Sequence, residues 1–385
     1  MVGKKLKKIA IFTTSRAEFG ILLPFIRAIE ADDELDYLLF VGGMHLAAEF
    51  GFTVNEIRNE GVRISKEFDF LLNGDEPFTL AKSMGIAVYE LAHIFNHYAF
   101  DAICLLGDRF ELLAVVNNAL LFHKPIIHIH GGETTEGAID NQVRNMISKA
   151  AHLHFVSCEE YAENVRRLGE NPAYIFNTGA LAIDNIKRLV PIPRDVLFEE
   201  LDLLPDRPLV LATYHPVTLE SRVPPVEQVR NLFNALASFD FQVVITAPNT
   251  DEGRQAIMDE ILKQVNENPL YHYVESLGMR RYFSLLPHCE FVIGNSSSGL
   301  IEVPYFRIPT VNIGDRQKGR LRHESVIDVD YSVKSIKKGI EKAISSTFRK
   351  KLKTMTYKFG QGDAAEKMVS ILKQVKFDQE FLRKS

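Results

Sequence analysis

The 385-residue chain has only three cysteines, Cys104, Cys158 and Cys289, far apart and with no CxxC pair. That spacing excludes a zinc ribbon or a dithiol redox centre, and three lone thiols suit a reducing compartment. Long apolar runs are also missing. Nothing approaches the ~20 apolar residues of a membrane span, and the stretch 9–14 is too short for a signal-peptide core and precedes no small-residue cleavage site. Positive charge is not in surplus, since the formal net charge is −5 with 25% charged residues. The one basic run, Lys4, Lys5, Lys7 and Lys8, reads as a solvated N-terminus and not as a polyanion tag. There is no repeat at a solenoid period and no low-complexity tract. These absences predict a soluble, cytoplasmic protein without nucleic-acid or membrane partners.

What is present is alternation. Short apolar runs rich in β-branched residues exchange with helical patterns along the whole chain, as in parallel sheets wrapped by helices. Strands are expected at residues 8–13, 37–42, 62–68, 102–106, 125–130, 152–156 and 174–177, then at 209–213, 242–246, 271–274, 291–293 and 310–313. Pro191, Pro193, Pro205 and Pro208 interrupt the pattern between the two sets and mark a linker. At this length two cores are expected. The reading is α/β, with two Rossmann-like doubly wound domains at residues 1–190 and 191–385, the second ending in a late helix at 364–375. Such domains place ligands at the C-terminal ends of their strands, so the chemistry should lie in the loops that follow.

The loop after the first strand, Thr14-Ser15-Arg16-Ala17-Glu18-Phe19-Gly20, lacks the GxGxxG of a dinucleotide fold, which disfavours a nicotinamide cofactor. It puts Arg16 at a helix start, where free N–H groups and a guanidinium favour an anion; the bland alternative pairs Arg16 with Glu18. Asp108 and Arg109 emerge together at the end of the fourth strand, as a functional pair or a structural salt bridge. The fifth strand ends in His128-Ile129-His130-Gly131-Gly132-Glu133, followed by Asp140 and Arg144. Alternation would put His128 and His130 on one face, and Glu133 and Asp140 make this the densest group of candidate acids and bases. An Asp140–Arg144 ion pair on one helix and a zinc site at His128, His130 and Glu133 are the competing readings. In the second half His215 and Asn249 end two strands. Gly294-Asn295-Ser296-Ser297-Ser298-Gly299 leads into a helix carrying Glu302, a combination suited to a diphosphate with no P-loop lysine, or else a plain cap. Arg316 follows the next strand.

With SRAEFG, GDRFE, HIHGGE, YHPVTLE, GNSSSGLIEVP and NIGDRQKGR in this order over residues 9–327, the chain resembles the hydrolysing UDP-N-acetylglucosamine 2-epimerases of the sialic-acid and legionaminic-acid branch. The resemblance implies a GT-B-like fold, its two domains facing a central cleft, and a UDP site from Arg16, Gly20, Arg109, His215, Asn249, Ser296, Ser297, Glu302 and Arg316. Asp108, His130 and Asp140 match positions around the reacting carbon, and Glu133 and His215 complete the catalytic candidates. Many members carry glutamate where this chain has His130, so the base at carbon 2 stays open among these groups. The implied reaction is anti elimination of UDP to a glycal followed by rehydration to N-acetylmannosamine, in nonulosonic-acid biosynthesis, without metal or redox cofactor. UDP-N,N'-diacetylbacillosamine is the alternative substrate; a GT-B glycosyltransferase and a UDP-sugar sensor are the rival functions. A homo-oligomer is what the family suggests.

Overall fold

A computed structural model describes residues 6–74, 76–134, 139–217, 223–248 and 253–384. The chain forms two compact units, each built on one sheet. In the first, β1 (Lys7–Thr13), β2 (Leu35–Gly42), β3 (Ile64–Phe68), β4 (Ala102–Leu106), β5 (Ile126–Ile129), β6 (Leu153–Val156) and β7 (Ile175–Asn177) lie in the order β3-β2-β1-β4-β5-β6-β7. Every pairing is parallel. Because alternate side chains point to opposite faces, Ile9, Ile11, Leu39, Cys104, Ile127 and Phe155 pack under helix α1 (Arg16–Glu30). Ala10, Phe12, Phe40, Ile103 and Ile126 pack on the other face. There they meet helices α3 (Pro77–His97), α4 (Leu112–Leu121) and α5 (Ile139–Ala150), a short α2 (Val54–Asn59) having come between. Near-continuous apolar runs are what a sheet covered on both faces requires.

The second unit has β8 (Leu209–Thr213), β9 (Gln242–Thr246), β10 (Tyr271–Val274), β11 (Cys289–Gly294), β12 (Thr310–Ile313) and β13 (Val326–Val329), in the order β10-β9-β8-β11-β12-β13 and again parallel throughout. The doubly wound α/β class expected from the alternation is thus present twice.

Three details depart from the expectations. β13 was not anticipated: Asp328 breaks its short apolar run, and in the structure Asp328 accepts a hydrogen bond from Asn312 Nδ2 (2.7 Å) at the sheet edge. β5 stops at Ile129, and His130 takes a left-handed φ of 64°. The third concerns the division into domains. The last residues, from Lys358 onward, belong to the first unit and not to a second domain running to 385. Helix Ala364–Gln374 returns to pack Ala365, Met368 and Leu372 into the α1 core. Its first turn is capped by the buried Asp184, whose carboxylate accepts the N–H groups of Ala364 (3.1 Å) and Ala365 (2.9 Å). Among the described residues no helix is long and apolar enough to cross a membrane.

The chain end is tied down by Glu170, buried within reach of Lys384 (2.6 Å), Lys149 (3.0 Å) and His154 (3.3 Å). Burial pushes this carboxyl up, but the bonds from His154, Lys384 and Lys149 outweigh it and hold the group at about 2. A carboxylate depressed in the folded state stabilises above its unfolded value of about 4.3, and that contribution is lost as pH falls toward the folded value. Glu170→Gln should therefore lower Tm at pH 7, and the gap to the parent should close between about pH 4 and pH 2. Equal Tm values at pH 7 in a thermal melt would show that this cluster does not stabilise the fold.

Candidate active site

The strand order reverses between β1 and β4 in the first unit and between β8 and β11 in the second. Loops leaving the strands at such a point diverge to opposite faces and leave room at the C-terminal edge of the sheet. The candidate residues fall into two groups, one at each reversal or beside it.

In the first unit the β1 loop leads into α1 with Ser15 at the cap position. Glu18 turns back to accept from the Thr14 N–H (2.9 Å), the Thr14 hydroxyl (2.9 Å) and the Ser15 hydroxyl (3.1 Å). Burial pushes the Glu18 carboxyl up against the pull of these bonds and of Arg109. Arg16 does not pair with Glu18; its exposed guanidinium meets Glu56 at 2.9 Å. Gly20 lies one turn into α1, with its carbonyl bonded by Asn185 Nδ2 (2.8 Å) and open space where a side chain would stand.

At the end of β4 the two adjacent charges part. Asp108 receives the guanidinium of Arg144 from α5, whereas Arg109 pairs with the buried Glu111 at 2.6 Å. Neither the Asp108–Arg109 bridge nor the Asp140–Arg144 pair is the one that forms. Arg144 is only 4% exposed and also donates to the Glu133 carbonyl (2.6 Å), so it is turned into the unit and away from Asp140. Asp140 is exposed in the first turn of α5, and its charge acts on Arg109 together with those of Glu111 and Glu18.

The β5 loop separates the two histidines. His128 is fully buried, with Nε2 2.7 Å from the Gly107 carbonyl and Nδ1 3.0 Å from the Ser148 hydroxyl. Burial lowers its pKa to about 3, so the ring is neutral, and both nitrogens are already engaged. His130 leaves the strand alternation through its positive φ, held by its N–H on the Phe155 carbonyl (2.9 Å). Its Nδ1 lies 3.1 Å from Glu133, which also accepts from the Ser157 hydroxyl (3.1 Å). Its Nε2 is buried and has no hydrogen-bond partner among the described residues. Gly132, with φ of 79°, runs so close to the Tyr161 carbonyl that a Cβ would stand 2.2 Å from it. Glycine is required here by close approach as well as by backbone angle.

In the second unit the β8 and β11 loops are locked together by Asn295. Its Oδ1 accepts the His215 N–H (2.7 Å) and its Nδ2 donates to the His215 carbonyl (2.8 Å). Gly294, with φ of 135°, brings the strands so near that a Cβ would stand 1.8 Å from the Thr213 carbonyl oxygen. Arg316 (3.2 Å) and Gln317 (2.8 Å) both donate to the Asn295 carbonyl. Ser296 caps the turn Ser297–Gly299 through the Ser298 N–H, and the Ser298 hydroxyl meets the Tyr282 hydroxyl at 2.6 Å.

That turn is not the start of an α-helix, contrary to the sequence expectation. It is a 3-10 turn, followed by a second at Val303–Phe306. Pro304 has no N–H to give to the Leu300 carbonyl, which His323 Nδ1 approaches instead (3.2 Å), and the Tyr357 hydroxyl donates to the Ile301 carbonyl (2.7 Å). An extended helix dipole is therefore no part of this loop. Glu302 sits in the i→i+4 turn between the two 3-10 turns. Asn249 lies outside the described residues.

Sequence reasoning met Glu18 only as a partner for Arg16 and Asn295 only as part of the glycine-serine loop, and it gave no role to His45 or Glu111 and missed Arg144's true partner. His45 is buried between the Thr13 (3.0 Å) and Thr53 (2.8 Å) hydroxyls, and burial lowers its pKa to about 4. Only Asn295 had a usable signal, as the one amide in a run of glycine and serine.

A family model for UDP-N-acetylglucosamine 2-epimerase matches residues 27–373. The chain is 38% identical, over 89% of each chain, to a GDP/UDP-N,N'-diacetylbacillosamine 2-epimerase (hydrolysing) of Campylobacter jejuni. It is 31% identical to a UDP-N,N'-diacetylbacillosamine 2-epimerase (hydrolysing) of Legionella pneumophila, over 98% of this chain and 99% of that one. It is 33% identical to polysialic acid biosynthesis protein P7 of Escherichia coli, over 96% and 94%. The fold is shared with UDP-GlcNAc 2-epimerase of Methanocaldococcus jannaschii in complex with UDP-GlcNAc and UDP, at a TM-score of 0.76, 17% identity and coverage of 96% and 100%.

The Asn295 clamp predicts its own test. Asn295→Ala removes both hydrogen bonds between the Asn295 amide and the half-buried His215 backbone, a cost of about 1 to 3 kcal/mol. Chemical denaturation should show a loss of that size; a loss below about 0.5 kcal/mol would mean that water replaces the clamp at no cost.

Proposed function

The chain belongs to the UDP-N-acetylglucosamine 2-epimerase family and is an enzyme of that kind, and we propose that it is a hydrolysing one, converting a UDP-2-acetamido sugar to UDP and the free 2-epimer. The observation that carries the reading is the His130 imidazole, half-buried beside Glu133, with Nδ1 engaged and a buried Nε2 that has no hydrogen-bond partner among the described residues. A base held in that state has one use that a purely structural histidine lacks: to exchange a proton with a bound molecule.

The steps balance without any redox partner. The hydrogen at carbon 2 leaves as a proton, its electron pair forms the C1–C2 double bond, and the C1–O bond breaks to release UDP. Water then adds across the glycal, placing hydroxyl at carbon 1 and a solvent proton on the opposite face of carbon 2. In this reading His130 exchanges the carbon 2 proton, with Glu133 beside it. Asp108 and the exposed Asp140 serve the second proton transfer and the water. On the nucleotide side, the residues we assign to UDP are Arg16, Gly20, Arg109, His215, Asn249, Ser296, Ser297, Glu302 and Arg316. The guanidinium groups stabilise charge on the departing diphosphate, and His215 also ranks among the catalytic candidates.

The substrate is UDP-N-acetylglucosamine in the first reading. A second reading, UDP-N,N'-diacetylbacillosamine, is favoured by the relatives at 38% and 31% identity, whose names carry that sugar. We further place the protein in the cytoplasm as a homo-oligomer. Its large exposed apolar side chains include Phe78 and Tyr89 on α3 and Leu120 and Leu121 on α4, a concentration that suits burial against another copy.

Incubation with each sugar nucleotide, followed by UDP release, separates the two substrates. In heavy water the product should carry deuterium at carbon 2; retention of the original hydrogen excludes elimination. His130→Asn should lower kcat by about 10² to 10⁴ and leave UDP affinity nearly unchanged, and near-normal turnover would transfer the proton to Asp108, Glu133 or Asp140. Ser297→Ala and Glu302→Ala should each weaken UDP binding by about 1 to 3 kcal/mol in calorimetry. Unaltered affinity in both would remove that loop from the nucleotide site.

A further inference from the structure

We propose that His128 is a positioning residue for Asp108: its neutral ring fixes the Gly107–Asp108 peptide while α5 fixes the Asp108 carboxylate. The proposal rests on the reading above, in which Asp108 acts at the sugar. An imidazole inside β5, between Ile127 and Ile129 and with no exposure, is costly unless both of its nitrogens are paired. They are paired in only one way. A carbonyl oxygen can only accept, so the proton on Nε2 is donated to Gly107 (2.7 Å), and Nδ1 accepts from the Ser148 hydroxyl (3.0 Å). The ring is thus locked in one tautomer and takes no part in proton exchange.

What it holds is the first peptide beyond β4. The Gly107 N–H already completes the sheet ladder on the Ile129 carbonyl (2.9 Å), and φ at Gly107 is 78°, a turn glycine makes without strain. At the end of a strand the Gly107 carbonyl would ordinarily face water and leave the next peptide free to rotate. His128 takes that carbonyl, and because it lies in the same plane as the Asp108 N–H, the backbone of Asp108 is fixed with it. The side chain is fixed separately by Arg144. Ser148 and Arg144 are both buried and stand four residues apart, on one face of α5. One helix therefore grips Asp108 twice, through Ser148 and His128 at the main chain and through Arg144 at the carboxylate.

The test is a double-mutant cycle on turnover. His128→Leu removes the bond to Gly107, and His128→Gln returns an amide donor near the place of Nε2. We expect kcat to fall about 10- to 100-fold in His128→Leu, as for a displaced catalytic group, with KM and UDP affinity within about twofold of the parent, and His128→Gln to recover most of the loss. In the Asp108→Asn background, His128→Leu should cost little further, because both changes disable one group. Full additivity, or a His128→Gln variant no better than His128→Leu at equal Tm, overturns the positioning role while leaving the use of Asp108 intact. Unchanged turnover in Asp108→Asn overturns the reading of Asp108 and the proposal with it. Should His128→Leu not fold, Ser148→Ala enters the same cycle. It frees one side of the ring, and it should lower kcat about 2- to 10-fold in the parent and not at all in Asp108→Asn; an equal loss in both backgrounds overturns the proposal.

Discussion

The first unit's site depends on a guanidinium that has been taken almost entirely out of water. Burying Arg144 is costly unless its charge is met and its N–H groups are bonded, and the structure meets it with the Asp108 carboxylate and the Glu133 carbonyl. Those two partners come from the β4 and β5 loops, whereas Arg144 comes from α5. One side chain, through an ion pair and a hydrogen bond, therefore connects three segments that would otherwise end independently at the edge of the sheet. It also explains why the neighbouring charges separate. With Asp108 committed to α5, Arg109 turns to Glu111, and the carboxylates of Glu111, Glu18 and Asp140 all act on that one cation.

The second unit solves the same problem without charge. There the β8 and β11 loops are joined by the two hydrogen bonds between the Asn295 amide and the His215 backbone, and the Asn295 carbonyl gathers Arg316 and Gln317 from the loop after β12. A neutral amide fixes the geometry of these loops without adding charge to them. The 3-10 turns that follow present hydroxyl groups and short stretches of backbone in place of a long dipole. Specific hydrogen bonds, and not a helix field, are then what this loop can offer a ligand.

The sheets were legible because a strand covered on both faces must be apolar along its length, a signal that survives without any knowledge of partners. β13 escaped because it is an edge strand carrying Asp328, where tertiary pairing with Asn312 outweighs local pattern. The return of residues 358–385 to the first unit was equally hidden, since it depends on Asp184 and on the packing of Met368 and Leu372, contacts between residues about 180 positions or more apart. For the site, the loops could be located from strand ends, and the charged residues on them could be named. Their pairing could not. Asp108 with Arg144 and Arg16 with Glu56 are set by which elements meet in space, and sequence proximity pointed to the wrong partners in both cases.

His130 shows how a departure from regular structure places a side chain. Had β5 continued one residue further, alternation would have put His130 on the same face as His128, inside the layer beneath α5, with its nitrogens consumed by the fold. The left-handed φ turns it out of that layer instead. A non-glycine residue held there costs on the order of 1 kcal/mol or more, offset by the bond to Phe155 and by the Nδ1 contact with Glu133. Gly131 and Gly132 make the departure sterically feasible: a Cβ at 131 would press on Ser148 and His128, and one at 132 on Tyr161. The same two glycines therefore protect the buried His128–Ser148 contact and release His130 from the sheet, so that one imidazole becomes framework while the other keeps an Nε2 without a hydrogen-bond partner among the described residues.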